Sequence, residues 1–270
     1  MASASGAETT TPLLEAKGVS KMFGPVHALR DVDFEVNAGE VVALVGDNGA
    51  GKSTLVKIIA GIYRPDAGRF FHNGREVRIS GPNDATGLGI ATVYQDLALC
   101  DNLDEVANLF LGQEKVANGA GALTHHLDDT AMEKRASELL AGLAVTIADV
   151  RSEVGTLSGG QRQQVAIARS PLGNPTVVLL DEPTAALGVR QTRQVLKLIK
   201  RLGAQGHGVV VISHNLENVF AVADRIVVLR LGQVAGSFDA RTTSKQEIVA
   251  AITGAGVLEP DFVELEPAAN

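Results

Sequence analysis

The sequence predicts an α/β fold with antiparallel β-structure at the front, a helical stretch in the middle and a parallel sheet formed by β–α units. Three observations predict it. The apolar runs Val41–Val45, Val177–Leu180 and Val209–Ile212 have the length of strands buried on both faces. Near the front, Val32, Phe34 and Val36 alternate with Asp31, Asp33 and Glu35, the period of a half-exposed antiparallel strand. Between these regions, residues 98–171 carry helical spacing in place of strand runs.

Taken in order, residues 1–12 are small and polar and read as a disordered arm. Asn37-Ala38-Gly39 is turn chemistry ahead of a strand over Glu40–Val45. His72-Asn73-Gly74-Arg75, between Phe70-Phe71 and Val77–Ile79, signals a hairpin. Ala131–Ala144 sets Met132, Leu139, Leu140 and Leu143 on one helical face, and a further helix runs through Gln161–Arg169 and stops before Pro171. Two β–α units follow, Thr176–Leu180 with Val189–Leu202 and Val209–Ile212 with Asn215–Val222, which together imply a parallel sheet. Arg190, Arg193, Lys197, Lys200 and Arg201 read as the solvated face of the first of those helices. Residues 255–270 read as an acidic flexible tail.

Composition narrows the function classes. The chain has 270 residues, 45% of them hydrophobic and 20% charged, as in an ordinary globular protein. Its net charge of −7 is carried mostly by Glu8 and by Glu259, Asp261, Glu264 and Glu266, since neither end holds a Lys or Arg. The near-neutral body offers no global basic footprint for nucleic acid. Cys100 is alone, so no internal disulfide framework is expected. MASASGAETTTP lacks a basic start and an apolar run, so no signal peptide is expected. No stretch approaches the roughly 20 apolar residues of a spanning helix.

Chemistry concentrates at three places. After the buried strand comes Gly46-Asp47-Asn48-Gly49-Ala50-Gly51-Lys52-Ser53, the G-x-x-x-x-G-K-S phosphate-binding loop. Its glycines let backbone N–H groups wrap a phosphate, Lys52 supplies a point charge, and Ser53 suits Mg²⁺. A helix starting at Thr54 turns its N-terminus to the anion. Val177–Leu180 then places Asp181 at the C-terminal end of a buried strand, able to hold Mg²⁺. Glu182 beside it points elsewhere by strand alternation and is free to polarise an attacking water. Third, Leu157-Ser158-Gly159-Gly160-Gln161 opens a helix with Ser158 as its cap and glycines that admit a phosphate. One nucleotide does not need two such helix ends, so the second serves a nucleotide held by another subunit.

The phosphate loop, the LSGGQ motif, the VVLLDE strand and Ser213-His214 resemble, in order and spacing, the ATP-binding cassette (ABC) ATPases over residues 13–254. The resemblance implies a P-loop ATPase fold with a mixed sheet core (segments 13–97 and 172–254), an antiparallel β subdomain and an inserted helical subdomain at about 98–171. It implies two ATPase subunits closing head to tail over two ATP molecules, with each LSGGQ acting in trans. Gln95, in Val93-Tyr94-Gln95-Asp96, matches the segment that touches the metal. His214 matches the histidine near the γ-phosphate, and Phe23 the aromatic that stacks on adenine. Gly188 stands where the family usually has aspartate, and Pro171 follows the LSGGQ helix where small residues are usual. The pair His125-His126 lacks a third ligand at metal spacing and reads as structural or solvent-exposed.

VYQDLALCDNLDEVANLFLGQE, DEPTAALGVRQT and SHNLENVFAVADRIVVLRLGQ further resemble ATPase subunits of bacterial monosaccharide importers. In that branch Gly188 is familiar. The implied function is ATP hydrolysis, with Mg²⁺, that powers sugar import at the cytoplasmic face of the membrane. The implied partners are a second ATPase subunit (a homodimer for a single cassette), a permease and, indirectly, an extracytoplasmic sugar-binding protein. A soluble ABC ATPase acting on ribosomes or DNA, and a regulatory cassette that does not hydrolyse, remain alternatives.

Overall fold

A computed structural model describes residues 11–117, 126–145 and 149–255. Most of the arm, His125 and the tail beyond residue 255 lie outside the described residues.

The front of the chain forms a four-stranded antiparallel sheet from β1 (Leu14–Phe23), β2 (Val26–Val36), β4 (Ala67–His72) and β5 (Arg75–Val77), in the order β2-β1-β4-β5. Val32, Phe34 and Val36 are buried, as the alternation in β2 predicts. The predicted hairpin joins β4 to β5, and Asn73 and Gly74 at its tip both take positive φ.

A six-stranded sheet carries the rest. It adds β3 (Val41–Val45), β6 (Ile90–Val93), β7 (Val177–Asp181), β8 (Gly208–Ile212), β9 (Arg225–Arg230) and β10 (Gln233–Asp239), in the order β10-β9-β3-β8-β7-β6. All pairings from β9 to β6 are parallel, and only the edge strand β10 runs antiparallel. Alternate residues of the central strands enter different clusters: Val42, Leu44, Val177 and Leu179 pack toward the antiparallel sheet. Val41, Val178 and Leu180 pack toward helices on the other side. Burial on both faces explains the unbroken apolar runs.

The helices are α1 (Lys52–Ile59), α2 (Pro82–Gly87), α3 (Glu105–Phe110), α4 (Asp129–Gly142), α5 (Gly159–Arg169), α6 (Val189–Ala204), α7 (Leu216–Val222) and α8 (Lys245–Thr253). Their starts are chemically marked. Asp104, Asp128, Ser158, Asn215 and Ser244 each accept a backbone N–H of the first turn. Helices α3, α4 and α5 fall in residues 98–171 and share one apolar cluster with β7, β8 and α6. Arg201 departs from the solvated-face expectation: it is half-buried and donates to the Leu143 carbonyl at 2.6 Å. Among the described residues, no helix is long and apolar enough to cross a membrane.

Candidate functional site

The parallel sheet sets the chemistry in a row. Along β3, β8, β7 and β6, the C-terminal ends lead respectively into the loop Gly46–Lys52, Ser213-His214, Asp181-Glu182 and Gln95. Register holds these ends level, with Leu44 opposite Ile212, Asp181 opposite Ile212, and Val93 opposite Leu180. C-terminal strand ends are where open α/β sheets bind ligands. Here they border a cavity of about 550 Å³ that reaches Asn48–Thr54, Gln95, Asp181, Glu182 and His214.

The phosphate loop needs its glycines for room. Gly46 has φ 148°, and a Cβ there would collide with the Leu229 carbonyl. Gly51, at φ 105°, would place a Cβ 2.6 Å from the Ala28 carbonyl. Both positions therefore demand glycine on conformational and steric grounds. The β9–β10 turn braces the loop: Gly232 N–H donates to the Ala50 carbonyl at 3.1 Å, and Arg30 N–H donates to the Gly232 carbonyl at 2.7 Å. Lys52 Nζ donates to the carbonyls of Gly46 and Asp47 at 2.6 and 2.8 Å. Burial pushes its ammonium below the usual lysine range, opposed by the charges of Glu182, Asp47 and Asp181. A cation partly stripped of water here favours a polyanionic ligand.

Asp181 ends β7 and is pushed upward by burial and by repulsion from Glu182, with Lys57 and Lys52 opposing. Glu182 lies just beyond the strand. Its orientation comes from a left-handed backbone (φ 48°), so the strand alternation expected from the sequence does not set it. A non-glycine residue in that region carries a strain of order 1–3 kcal/mol. Its backbone N–H donates to the Ile212 carbonyl at 3.0 Å. Its Oε1 lies 2.8 Å from His214 Nδ1 and accepts the His214 backbone N–H at 3.1 Å. The Glu182 side chain is 17% exposed and that of His214 75%, so a sheltered carboxylate meets an open imidazole.

LSGGQ does not line this cavity. Ser158 caps α5 reciprocally with Gln161, Ser158 and Gly159 are exposed, Leu157 is partly buried, and Gly160 is buried. Phe23 lies outside the lining too. It is 42% exposed and meets Tyr63 edge-on, with centroids 5.3 Å apart, so it is not a core residue. Gly46 and Asp47 take part through their carbonyls rather than as lining. Among the described residues, no cluster of three His, Cys, Asp or Glu has metal-holding geometry. Ser53, Gln95 and Asp181 do bring hydroxyl, amide and carboxylate oxygens to one cavity, a donor set suited to a hard divalent cation.

The ABC transporter family matches residues 29–185. The chain belongs to that family. Gly46–Thr54, Leu157–Gln161, Asp181 and Glu182 all fall inside the ABC match, and His214 follows it. A xylose/arabinose import ATP-binding protein of Sulfolobus acidocaldarius is 46% identical to this ABC chain, covering 89% of it and 94% of the relative. A fructose import ATP-binding protein of Rhizobium meliloti is 44% identical over 90% and 95% of the two chains. A ribose import ATP-binding protein of Rubrobacter xylanophilus is 42% identical, and there the match covers 92% of this chain but 48% of the relative. Among solved structures, an ATP-binding cassette of an ABC transporter in its ADP conformation superposes with a TM-score of 0.77 at 26% identity, over 93% and 98% of the chains. A dimeric bacterial ABC transporter cassette gives 0.70 at 27% identity, over 85% and 100%.

The ABC cavity also has lining that the sequence did not flag. Val26, His27 and Ala28 enter from the start of β2, and Ala185 from the loop after Glu182. The only sequence signal was their place beside Phe23 and Glu182.

Proposed function

We propose that this chain is the ATP-hydrolysing subunit that powers import of a monosaccharide through a membrane permease, acting as a head-to-tail pair at the cytoplasmic face. The Glu182–His214 contact at 2.8 Å, beside Asp181 and opposite the phosphate loop, carries the reading. The backbone of Gly46–Gly51 and the Lys52 ammonium bind the β- and γ-phosphates, with α1 turned toward them. Ser53, Asp181 and Gln95 would hold Mg²⁺, which neutralises charge on the transferred phosphoryl group when bound. Glu182 takes the proton of the attacking water, and His214 fixes its carboxylate at the γ-phosphate side. Phe23 stacks on the adenine. LSGGQ of a second subunit closes over the same ATP, which makes ATP the bridge and hydrolysis the release.

The sugar assignment rests on the relatives, whose names give xylose/arabinose, fructose and ribose import. A groove of about 400 Å³ supports a permease contact. It runs between Tyr94, Asp96 and Leu97, next to Gln95, and Gln113 and Arg169 of the helical stretch. A cytoplasmic segment of the permease seated there, with the extracytoplasmic sugar-binding protein beyond it, would feel any movement of Gln95.

The Glu182→Gln variant tests the reading. It is expected to form an ATP-dependent dimer by light scattering and to hydrolyse ATP roughly 10²- to 10⁴-fold more slowly. Equal hydrolysis by variant and wild type would remove Glu182 as the base.

A further inference from the structure

The two places that the proposed pair assigns to different ATP molecules touch one side chain. Gly160 of LSGGQ is buried, and a Cβ built on it would lie 2.5 Å from Cγ and 2.7 Å from Cβ of Gln191. The Gln191 stem therefore fills the space that a side chain at Gly160 would need. The far end of the same side chain turns to the loop that begins at Glu182: Gln191 Oε1 accepts the Gly188 N–H at 3.0 Å. That loop is secured along its length, because Ala185 N–H donates to the Glu182 carbonyl at 3.0 Å and Asn218 Nδ2 donates to Thr184 Oγ1 at 3.1 Å. One turn further along α5, buried Gln164 repeats the link. Its Nε2 donates to the Gly160 carbonyl at 3.1 Å and to Gln194 Oε1 on α6 at 3.4 Å.

We infer that Gln191 is a positioning residue that joins the Glu182–Gly188 loop to the LSGGQ turn, so that each subunit couples its own ATP site to the one it completes for its partner. The inference rests on the proposed head-to-tail pair. Within one chain, Glu182 acts on the ATP held by that chain's own phosphate loop, and the exposed Ser158-Gly159 beside Gly160 faces the ATP of the other. A shift of the loop on hydrolysis displaces the Gly188 amide and the Gln191 carboxamide with it. Because the stem is wedged over Gly160 with no free space, the displacement reaches the LSGGQ backbone directly. A residue that only capped α6 would need the Gly188 contact and not the Gly160 contact.

The test uses the full chain in the Glu182→Gln background and reads the ATP concentration at half-maximal dimerisation. Gln191→Ala is expected to raise it roughly tenfold, while binding of a fluorescent nucleotide to single chains, which reports the phosphate loop, stays as in the parent. Gly160→Ala is expected to raise it similarly, because the new methyl displaces Gln191. The double variant is expected to be no worse than either single one, the signature of a shared contact. Without the Glu182→Gln change, Gln191→Ala is also expected to lower the Hill coefficient of ATP hydrolysis. Gln191→Ala also removes the Gly188 contact and is expected to lower thermal stability; Gln191→Asp keeps an acceptor in the first turn of α6 but loses one methylene, so that stability returns while the dimerisation defect remains. Restored dimerisation in Gln191→Asp would assign Gln191 to helix capping alone and overturn the coupling, as would additive losses in the double variant. Failure of the Glu182→Gln parent itself to dimerise with ATP would instead overturn the head-to-tail pair, and the coupling with it.

Discussion

Lys52 and His214 make the chemistry local enough to probe one side chain at a time. The Lys52 ammonium is drawn into the loop by two carbonyls and partly stripped of water. The proposed contact of this ammonium with a phosphate would be a charge-assisted bond worth about 1.5–3 kcal/mol. Lys52→Ala is therefore expected to weaken nucleotide binding roughly 10- to 100-fold in a fluorescent-nucleotide titration. An unchanged affinity would refute the phosphate assignment. His214→Ala leaves Glu182 without its imidazole partner, so kcat is expected to fall while KM moves little. A rise in KM at constant kcat would make His214 a ground-state binding group instead. These residues were legible because each sits in a local pattern of strand, loop and helix. Glu182 was legible in identity but not in posture, since a left-handed turn after β7 depends on the surrounding packing.

At the scale of an element, α3 holds the clearest conflict between pattern and environment. Glu105 begins that helix fully buried, and neither of its carboxylate oxygens has a hydrogen-bond partner among the described residues. Burial, with the nearby charges of Asp149 and Asp104, pushes its pKa to about 7. The folded state thus holds a proton that the unfolded chain releases near 4.5. The stability this contributes is complete below about pH 4.5 and is lost as pH rises to about 7. Glu105→Gln, neutral at every pH, is expected to melt higher than wild type at pH 8 by roughly 7–14 °C, with the gap closing toward pH 5. A gap independent of pH would show that the carboxyl is not titrating there. The sequence concealed this, because Val106, Leu109 and Phe110 mark a buried face that a glutamate contradicts. Helix α8 shows the opposite case. Ser244 and Glu247 form a reciprocal cap in which the Ser-x-x-Glu spacing and the environment agree.

For the whole molecule, what the sequence left unread is what distant segments make together. Val26, His27 and Ala28 reach the cavity at the start of β2, the strand that Arg30 ties through Gly232 to Ala50 of the phosphate loop. No periodicity reports such an encounter. Residues 98–171 lie between Gln95 and β7, yet their helices complete one apolar cluster with Val178, Leu180, Leu198 and Ile199. A polypeptide of residues 98–171 alone is therefore expected to show no cooperative melting transition by circular dichroism. A sharp transition would mean that the segment owns a sufficient core.

That shared cluster also limits how the segment can move. Lifting it from the sheet would expose apolar surface at about 25 cal/mol per Å², so motions that keep the cluster packed cost least. Shear is such a motion, in which α5 slides along α6 by small side-chain adjustments while both stay packed. A displacement near Gln95 would then be passed on by packed side chains sliding together and not by a free hinge.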